Sequence, residues 1–418
     1  MKKKILYLYD SIVDFAEEKM QLNLRYYINN GIYLLFLNFL TIVCALFLSI
    51  AFANFLPKEV YGKYQFILSV LGIVSIFSLP GIKTSLIQAV AKNYDGTALR
   101  AIKESLKWSF FGSIILFFIS IYYFFSKEIS LSISFLIISL LFSFYSIAQY
   151  YNPYLNGKKK FKKLAVYSSI HTVVYTILLI SAAYYLRDVI WLVAVYLLTN
   201  ILINGFITFF IFKKIKNKKI DKSSISFGKH LTVMEILQFL ANYLDRIILS
   251  FFLGFENVAI YSIALIIPEK IKDLSKNIGS LILPKLAVMD HKTIKKTLMK
   301  RFLQLTGITI ILMVVYITAA PFLIKLVFPK YLESIFYSKI FMLGFISFPT
   351  ILFITMFQSK RMKKQLYQFN ISFSVIQIIL LILLTTYWGI LGTILARVFT
   401  RLFGLGATLI IYRGYVND

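Results

Sequence analysis

Two arginines, Arg397 and Arg401, lie four residues apart, about one helical turn, inside the last apolar stretch of the chain. A charge at the centre of a membrane helix costs about 2.5–3.5 kcal/mol, so it persists where water, a cavity or a partner solvates it. Guanidinium groups bind carboxylates and phosphates through strong, charge-assisted hydrogen bonds. The pair therefore predicts a polar interior that can bind an anion.

Other polar side chains interrupt other apolar stretches at intervals of three or four residues, which places them on one face of a helix. The seventh stretch carries Glu235, Gln238, Asn242, Asp245 and Arg246, and the eighth carries Glu269, Lys272, Asp273 and Lys276. We expect a shared hydrated cavity with more basic than acidic groups. Its substrate-binding residues would be Arg397, Arg401, Lys83, Arg246, Lys272 and Lys276, and its uncharged lining Asn38, Gln238, Asn242 and Thr393.

Each group also has a purely structural interpretation. Asp245 and Arg246 could pair with each other near the outer membrane surface. The charges of 269–276 could mark the cytoplasmic end of the eighth span, with the residues that follow forming an interfacial helix. Lys83 could extend to an interface beside the break at Pro80. Asn38 is of a type that commonly packs between helices. The mid-span arginines fit a structural role least well.

The composition indicates an all-α, polytopic membrane protein. The chain has 418 residues, of which 59% are hydrophobic, and its mean hydropathy is +0.77. Apolar stretches of about 20 residues match the thickness of a bilayer, and in lipid they must be helical. We count about twelve, beginning near residues 28, 64, 108, 130, 164, 189, 230, 257, 302, 336, 366 and 389.

The basic residues are concentrated in the loops on one side of the predicted membrane protein. The net charge is +28, and it is concentrated in the loops at 158–163, 213–222, 292–301 and 360–364. The positive-inside rule places these loops and both termini in the cytoplasm. We expect anionic membrane lipids as partners, and no nucleic acid.

The sequence lacks the usual marks of an enzyme. It has no phosphate-binding glycine loop, no metal-ligand spacing and no nucleophile triad. The single cysteine, Cys44, excludes an intrachain disulfide. We expect no cofactor, no metal and no catalytic residue.

The chain divides into two halves of six stretches. An offset of 197 residues aligns Gly31 with Gly228 and Glu59 with Glu256, which indicates a parallel repeat with a pseudo-two-fold axis along the membrane normal. We predict a cytoplasmic segment (1–27), a first six-helix bundle (28–212), a basic cytoplasmic linker (213–229) and a second bundle (230–418).

Several strings resemble polysaccharide flippases of the Wzx type, which belong to the multidrug/oligosaccharidyl-lipid/polysaccharide (MOP) exporter superfamily. They are FLPKEVYGKY (55–64), GIKTSLI (81–87), NGKKKF (156–161), DRIIL (245–249), AIYSIA (259–264) and WGILG (388–392). Their order covers nearly the whole chain.

The resemblance implies a V-shaped pair of bundles, like that of MATE transporters, in a bacterial cytoplasmic membrane. Such a protein moves an undecaprenyl-diphosphate-linked oligosaccharide, an O-antigen or capsule repeat unit, to the outer leaflet by alternating access. It also implies coupling to an ion or to the membrane potential, for which the candidates are Glu235, Asp245, Glu269 and Asp273. A polysaccharide polymerase and a chain-length regulator are the implied partners.

Three alternatives remain. A lipid II flippase has similar chemistry but typically fourteen spans. A MATE-type multidrug exporter would favour an acidic or aromatic cavity. A membrane glycosyltransferase or polymerase would need a large outer loop or an acidic motif, and the outer loops here are short.

The topology can be tested with reporter tags. A tag inserted after Lys160 or after Asn217 should report the cytoplasm, because both positions lie in basic loops, whereas a tag after Lys127 should report the opposite side. A reversed pattern would contradict the orientation.

Overall fold

In the computed structural model the described residues are 24–289, 291–360 and 362–417, and they form helices joined by short turns, with no strand among them. Ten helices or continuous helical stretches within these ranges are long and apolar enough to cross a membrane. This confirms the predicted all-helical, multi-pass fold.

The first bundle contains six spans, three of them interrupted. Its helices are α1 (Leu24–Phe55), α2 (Lys58–Val74), α3 (Pro80–Ala91), α4 (Thr97–Phe125), α5 (Ile129–Ala148), α6 (Tyr151–Gly157), α7 (Phe161–Tyr185), α8 (Val189–Thr199) and α9 (Gly205–Phe212). A 3-10 turn at Ser75–Ser78 separates α2 from α3, and a π-helical turn at Asn200–Asn204 joins α8 to α9.

Small polar residues let helices of this bundle approach closely. Along the contact of α4 with α5, the Ser109 hydroxyl donates to the Ser143 hydroxyl at 3.2 Å. The Ser120 hydroxyl donates to the Ser132 carbonyl at 2.8 Å. Serine contacts of this kind replace the hydrophobic driving force that is missing between helices in lipid.

The second bundle contains α10 (Lys222–Leu253), α11 (Phe255–Val288), α12 (His291–Val327), α13 (Ser334–Leu343), α14 (Ile351–Ser359) and α15 (Lys363–Asn417). The Asp221 carboxylate accepts from the backbone N–H groups of Ser223 and Ser224 and so caps α10. The Ser223 hydroxyl, which donates to the same carboxylate, is the main cause of the lowered pKa of Asp221.

Helix α11 carries the predicted eighth stretch as one continuous helix. Its charged residues keep it out of the set of ten apolar spans. The helix continues past the charged residues 269–276 to Val288, and the interpretation of these charges as the cytoplasmic end of the span stays a prediction.

Helix α15 contains the last two predicted stretches, and it turns back on itself at Gly389. This residue has φ 57° and ψ −131°, a combination that is available essentially only to glycine. The hydroxyls of Thr385 and Thr393 lie 2.9 Å apart, although eight residues of straight helix would separate them by about 12 Å. The hairpin, counted once among the ten apolar stretches, supplies two spans, and α11 supplies one more. The total is then the predicted twelve spans.

The two bundles touch along α10 and α11, and glycines let their backbones approach closely at two levels of this contact. Where α2 begins, the Cα of Gly62 lies against the carbonyl of Phe255. At the other end of α10, the Cα of Gly81 in α3 lies against the carbonyl of Gly228. We call these the Gly62 contact and the Gly81 contact. Since the bundles meet at both, the space between them is closed at two levels.

The turn at Gly389 gives a stability prediction. Gly389→Ala should lower the free energy of unfolding by about 1–3 kcal/mol, because a side chain is strained in this conformation and its Cβ would lie 2.9 Å from Leu253. Gly406→Ala is the matched control, since that helical glycine has open space around it and alanine favours helix by about 0.5–1 kcal/mol. Thermal unfolding in detergent measures both, and equal midpoints would contradict the strained turn.

Candidate functional site

A fully buried carboxylate, Asp245 on α10, is the centre of the site. Its exposed fraction is 0%. The Oδ2 atom lies 2.8 Å from Arg397 Nη2, an ion pair, and accepts from the Tyr261 hydroxyl at 2.6 Å. The Oδ1 atom accepts from the backbone N–H of Arg246 at 2.8 Å. One ion pair and two hydrogen bonds thus compensate for the loss of water around the charge.

A second carboxylate, Glu269 on α11, extends this arrangement. Its Oε1 accepts from Arg401 Nη2 at 2.6 Å and lies 3.5 Å from Arg397 Nη1. Its Oε2 lies 3.4 Å from Lys272 Nζ. The Arg401 guanidinium also lies 4.3 Å from the centre of the Phe341 ring, a cation–π contact. We call Asp245, Arg397, Glu269 and Arg401 the charge network.

The charge network is neutral in itself, with two acids and two arginines. Arg246 and Lys272, at its edges, add two positive charges. Arg246 lies 4.0 Å from Asp245 Oδ1, a long ion pair, and its Nε donates to Ser262 at 3.3 Å. Asp245 therefore pairs mainly with Arg397 and not, as the structural alternative suggested, with its sequence neighbour.

A cavity of about 640 Å³ lies within the second bundle, beside the charge network. Polar residues from four helices line it together with the turn at 344–350: Gln238, Asn242, Lys272, Gln358, Asn370 and Arg401. The cavity brings together two predicted lining residues and two predicted basic residues, one of which, Arg401, belongs to the charge network.

A smaller cavity of about 270 Å³ lies between the bundles. We call it the interbundle cleft. The first bundle contributes Gln65, Ser69, Gly72, Ser75, Tyr145 and Tyr196, and α10 contributes Tyr243 and Arg246. Arg246 is thus the one predicted basic residue that lines this cleft.

The other predicted site residues lie elsewhere. The Lys83 amine is in the first bundle, 5.7 Å from the centre of the Tyr150 ring, and no described acid pairs with it. The Glu235 carboxylate, half-buried on α10, has no hydrogen-bond partner among the described residues. Asp273 is 4.0 Å from Lys270.

Three predicted site residues remain, Thr393, Asn38 and Lys276. The Thr393 hydroxyl donates to the Gly389 carbonyl at 3.0 Å, so it supports the turn. Asn38 is exposed on α1. The side chain of Lys276 lies outside the described residues.

Sequence reasoning missed Tyr261, which donates to Asp245, and the tyrosines of the interbundle cleft. The chain has 28 tyrosines, so residue type alone does not distinguish the tyrosines of the site from the others. It also missed Asn200 and Asn204, which are buried in the π-helical turn. Their spacing of four residues inside an apolar stretch could have found them.

Two six-helix bundles with buried charges beside cavities define the class of the protein, a multi-pass membrane protein with the fold of known transporters. Solved structures share this fold. A lipid II flippase, MurJ, in an inward-closed conformation is 17% identical, covers 92% of this chain and 87% of its own, and has a TM-score of 0.69. An outward-facing MATE multidrug transporter of the MOP superfamily is 12% identical, covers 94% and 95%, and has a TM-score of 0.63.

The sequence identifies the family. Residues 27–267 match the family described as polysaccharide biosynthesis protein. This is more than half of the chain, which therefore belongs to that family. No curated protein sequence matches the chain.

The pairing of Asp245 with Arg397 gives a double-mutant prediction. Asp245→Asn and Arg397→Gln should each lower the free energy of unfolding by about 3–5 kcal/mol, because each leaves a buried charge without its nearest ionic partner. The double variant should lose less than the sum. Unfolding in mixed detergent micelles measures all three.

The matched control is the exposed ion pair of Lys58 with Glu333, 3.2 Å apart. Lys58→Met should cost about 1 kcal/mol or less. Additive losses for Asp245 and Arg397 would show that the two charges are not coupled.

Proposed function

We propose that this protein is a flippase for polyprenyl-diphosphate-linked oligosaccharide units. The observation that carries the proposal is the surplus of positive charge in and beside the charge network, where four basic groups face two acids. A cavity with this balance suits an anionic headgroup better than a cationic drug.

The diphosphate explains why the surplus is needed. It cannot cross hydrocarbon without compensation, and in a low dielectric a guanidinium or ammonium group offers strong, charge-assisted hydrogen bonds. Arg401 and Lys272 line the cavity of the second bundle. Because Asp245 is engaged by Arg397, Arg246 is the basic group that a phosphate can approach from the interbundle cleft. The polyprenyl chain stays in lipid.

The two acids suggest how binding and release are coupled. Glu269 holds Arg401 at 2.6 Å. A phosphate that binds Arg401 competes with this carboxylate, and a proton or cation taken up by Glu269 or Asp245 would favour the phosphate. Glu235, which has no partner among the described residues, is a further candidate for proton uptake. The acids then act as exchangeable counterions.

The proposed setting is the bacterial cytoplasmic membrane, with both termini in the cytoplasm and the basic loops toward the anionic inner leaflet. The substrate would be an O-antigen or capsule repeat unit that a polymerase and a chain-length regulator use on the outer side.

A lipid II flippase is the second candidate. The fold likeness to MurJ favours it, and its substrate has the same polyprenyl diphosphate. The two candidates differ in the group that the diphosphate carries.

The substrate-binding role of Arg401 can be tested in cells. Arg401→Ala should reduce surface polysaccharide at least about tenfold, because one charged hydrogen-bond donor is worth about 1.5–3 kcal/mol, while the amount of protein in the membrane stays unchanged. Arg401→Lys should retain partial display, since the charge remains and the planar fork is lost.

Arg187→Ala is the matched control, because that arginine lies exposed in a loop. Normal display in Arg401→Ala would contradict the assignment. Normal display with a loss of peptidoglycan precursor export would favour the lipid II alternative.

A further inference from the structure

The interbundle cleft has the size and the lining of a sugar-binding site. Its volume of about 270 Å³ corresponds to about nine water molecules, which is room for one pyranose ring. The lining is mixed, with three tyrosines, two serines and one glutamine beside an arginine. Ligand sites combine apolar area with a few placed polar groups in this way.

The tyrosines offer a surface that matches a sugar. The rings of Tyr145 and Tyr196 lie 5.8 Å apart at 37°. A pyranose has apolar C–H faces and hydroxyl edges, and a tyrosine has an apolar face and a polar tip. The two kinds of surface therefore complement each other.

The hydroxyls of this pair retain hydrogen-bonding capacity. The oxygens of Tyr145 and Tyr196 lie 2.7 Å apart, so one hydroxyl donates to the other. Two hydroxyls carry two protons, and the second has no acceptor among the described residues. Gln65 donates its amide to Tyr61 at 3.1 Å, which leaves its carbonyl oxygen as an acceptor. The cleft thus has a donor and an acceptor for sugar hydroxyls.

Arg246 places an anion-binding group beside this surface. It is three residues from Tyr243 on α10, and 21% of its side chain is exposed. Its Nε is bound to Ser262, while the long pair with Asp245 is the only contact of its Nη groups with the described residues. A phosphate at these nitrogens would carry its first sugar into the cleft.

We propose that the interbundle cleft binds the first pyranose ring of the lipid-linked glycan, with Tyr145 and Tyr196 as the sugar surface and Arg246 at the adjoining phosphate. This inference rests on the proposed function and adds the glycan subsite. Since both bundles line the cleft, their separation dismantles it and releases the sugar.

The bundles lie so close together at Gly72 that a small substitution there should disturb the interbundle cleft. The Tyr243 ring lies against this glycine, and a Cβ there would be 2.6 Å from the ring atoms. Gly72→Ala must therefore displace the Tyr243 ring from its place in the cleft, without removing any polar group.

The experiment measures binding to the purified protein in nanodiscs, with two probes. One is undecaprenyl diphosphate and the other is the same lipid carrying one N-acetylglucosamine. The wild type should bind the sugar-bearing probe about tenfold more tightly, because sugar hydroxyl bonds and ring contacts are added.

The Tyr145→Phe/Tyr196→Phe double variant, which keeps both rings, should reduce this preference about three- to tenfold. Gly72→Ala should also reduce it. Neither change should alter binding of the sugar-free probe, whereas Arg246→Gln should weaken both probes by similar factors. Tyr316→Phe is the matched control: its hydroxyl is similarly bonded, 2.6 Å from Ser338, but lies outside the cleft, so the preference should remain.

The outcomes separate the two proposals. Equal binding of both probes by the wild type, or a preference that persists in the double variant and in Gly72→Ala, would overturn the sugar subsite and leave the proposed function standing. Failure of the wild type to bind either probe would overturn both.

Discussion

The buried carboxylate of Asp245 is the constraint that organises the second bundle. A charge with no exposure to water must be surrounded by compensating groups, and Arg397 and Tyr261 are two of them, on different helices. Arg397 reaches Asp245 only because α15 returns at Gly389 beside α10. The hairpin, the positions of α10 and α11 and the neighbouring cavity therefore depend on one charge and its compensation.

The neutrality of the charge network affects how its arginines would bind an anionic substrate. An isolated arginine in lipid would be costly, but Arg397 and Arg401 are tolerated because Asp245 and Glu269 neutralise them. The charge that a substrate meets is then the surplus at the edges, on Arg246 and Lys272. Under the proposed function, the same acids that make the arginines tolerable in a membrane also limit how strongly they hold a phosphate, so that a transported headgroup can be released.

Local sequence patterns predicted much of this arrangement. The apolar lengths gave the helices, and the spacing of Asp245, Glu269, Arg397 and Arg401 placed each on a polar face. The pairing could not be predicted, because it joins residues more than 100 positions apart in the chain through the packing of α10, α11 and α15. The interbundle cleft stayed hidden for another reason: tyrosine is common in this chain, and only the tertiary structure distinguishes Tyr145 and Tyr196 from tyrosines that merely fill the core.

The Gly62 and Gly81 contacts have a mechanical consequence. At both, a backbone carbonyl of one bundle lies against the bare Cα of a glycine in the other. Ion pairs join the bundles near the same ends, Lys58 with Glu333 and Lys229 with Glu104, so separation at either end must break ion pairs as well as glycine contacts. A single methyl group at Gly62 or Gly81 would collide with the opposing backbone, which cannot move aside as a flexible side chain can, and would hold that end of the interface apart.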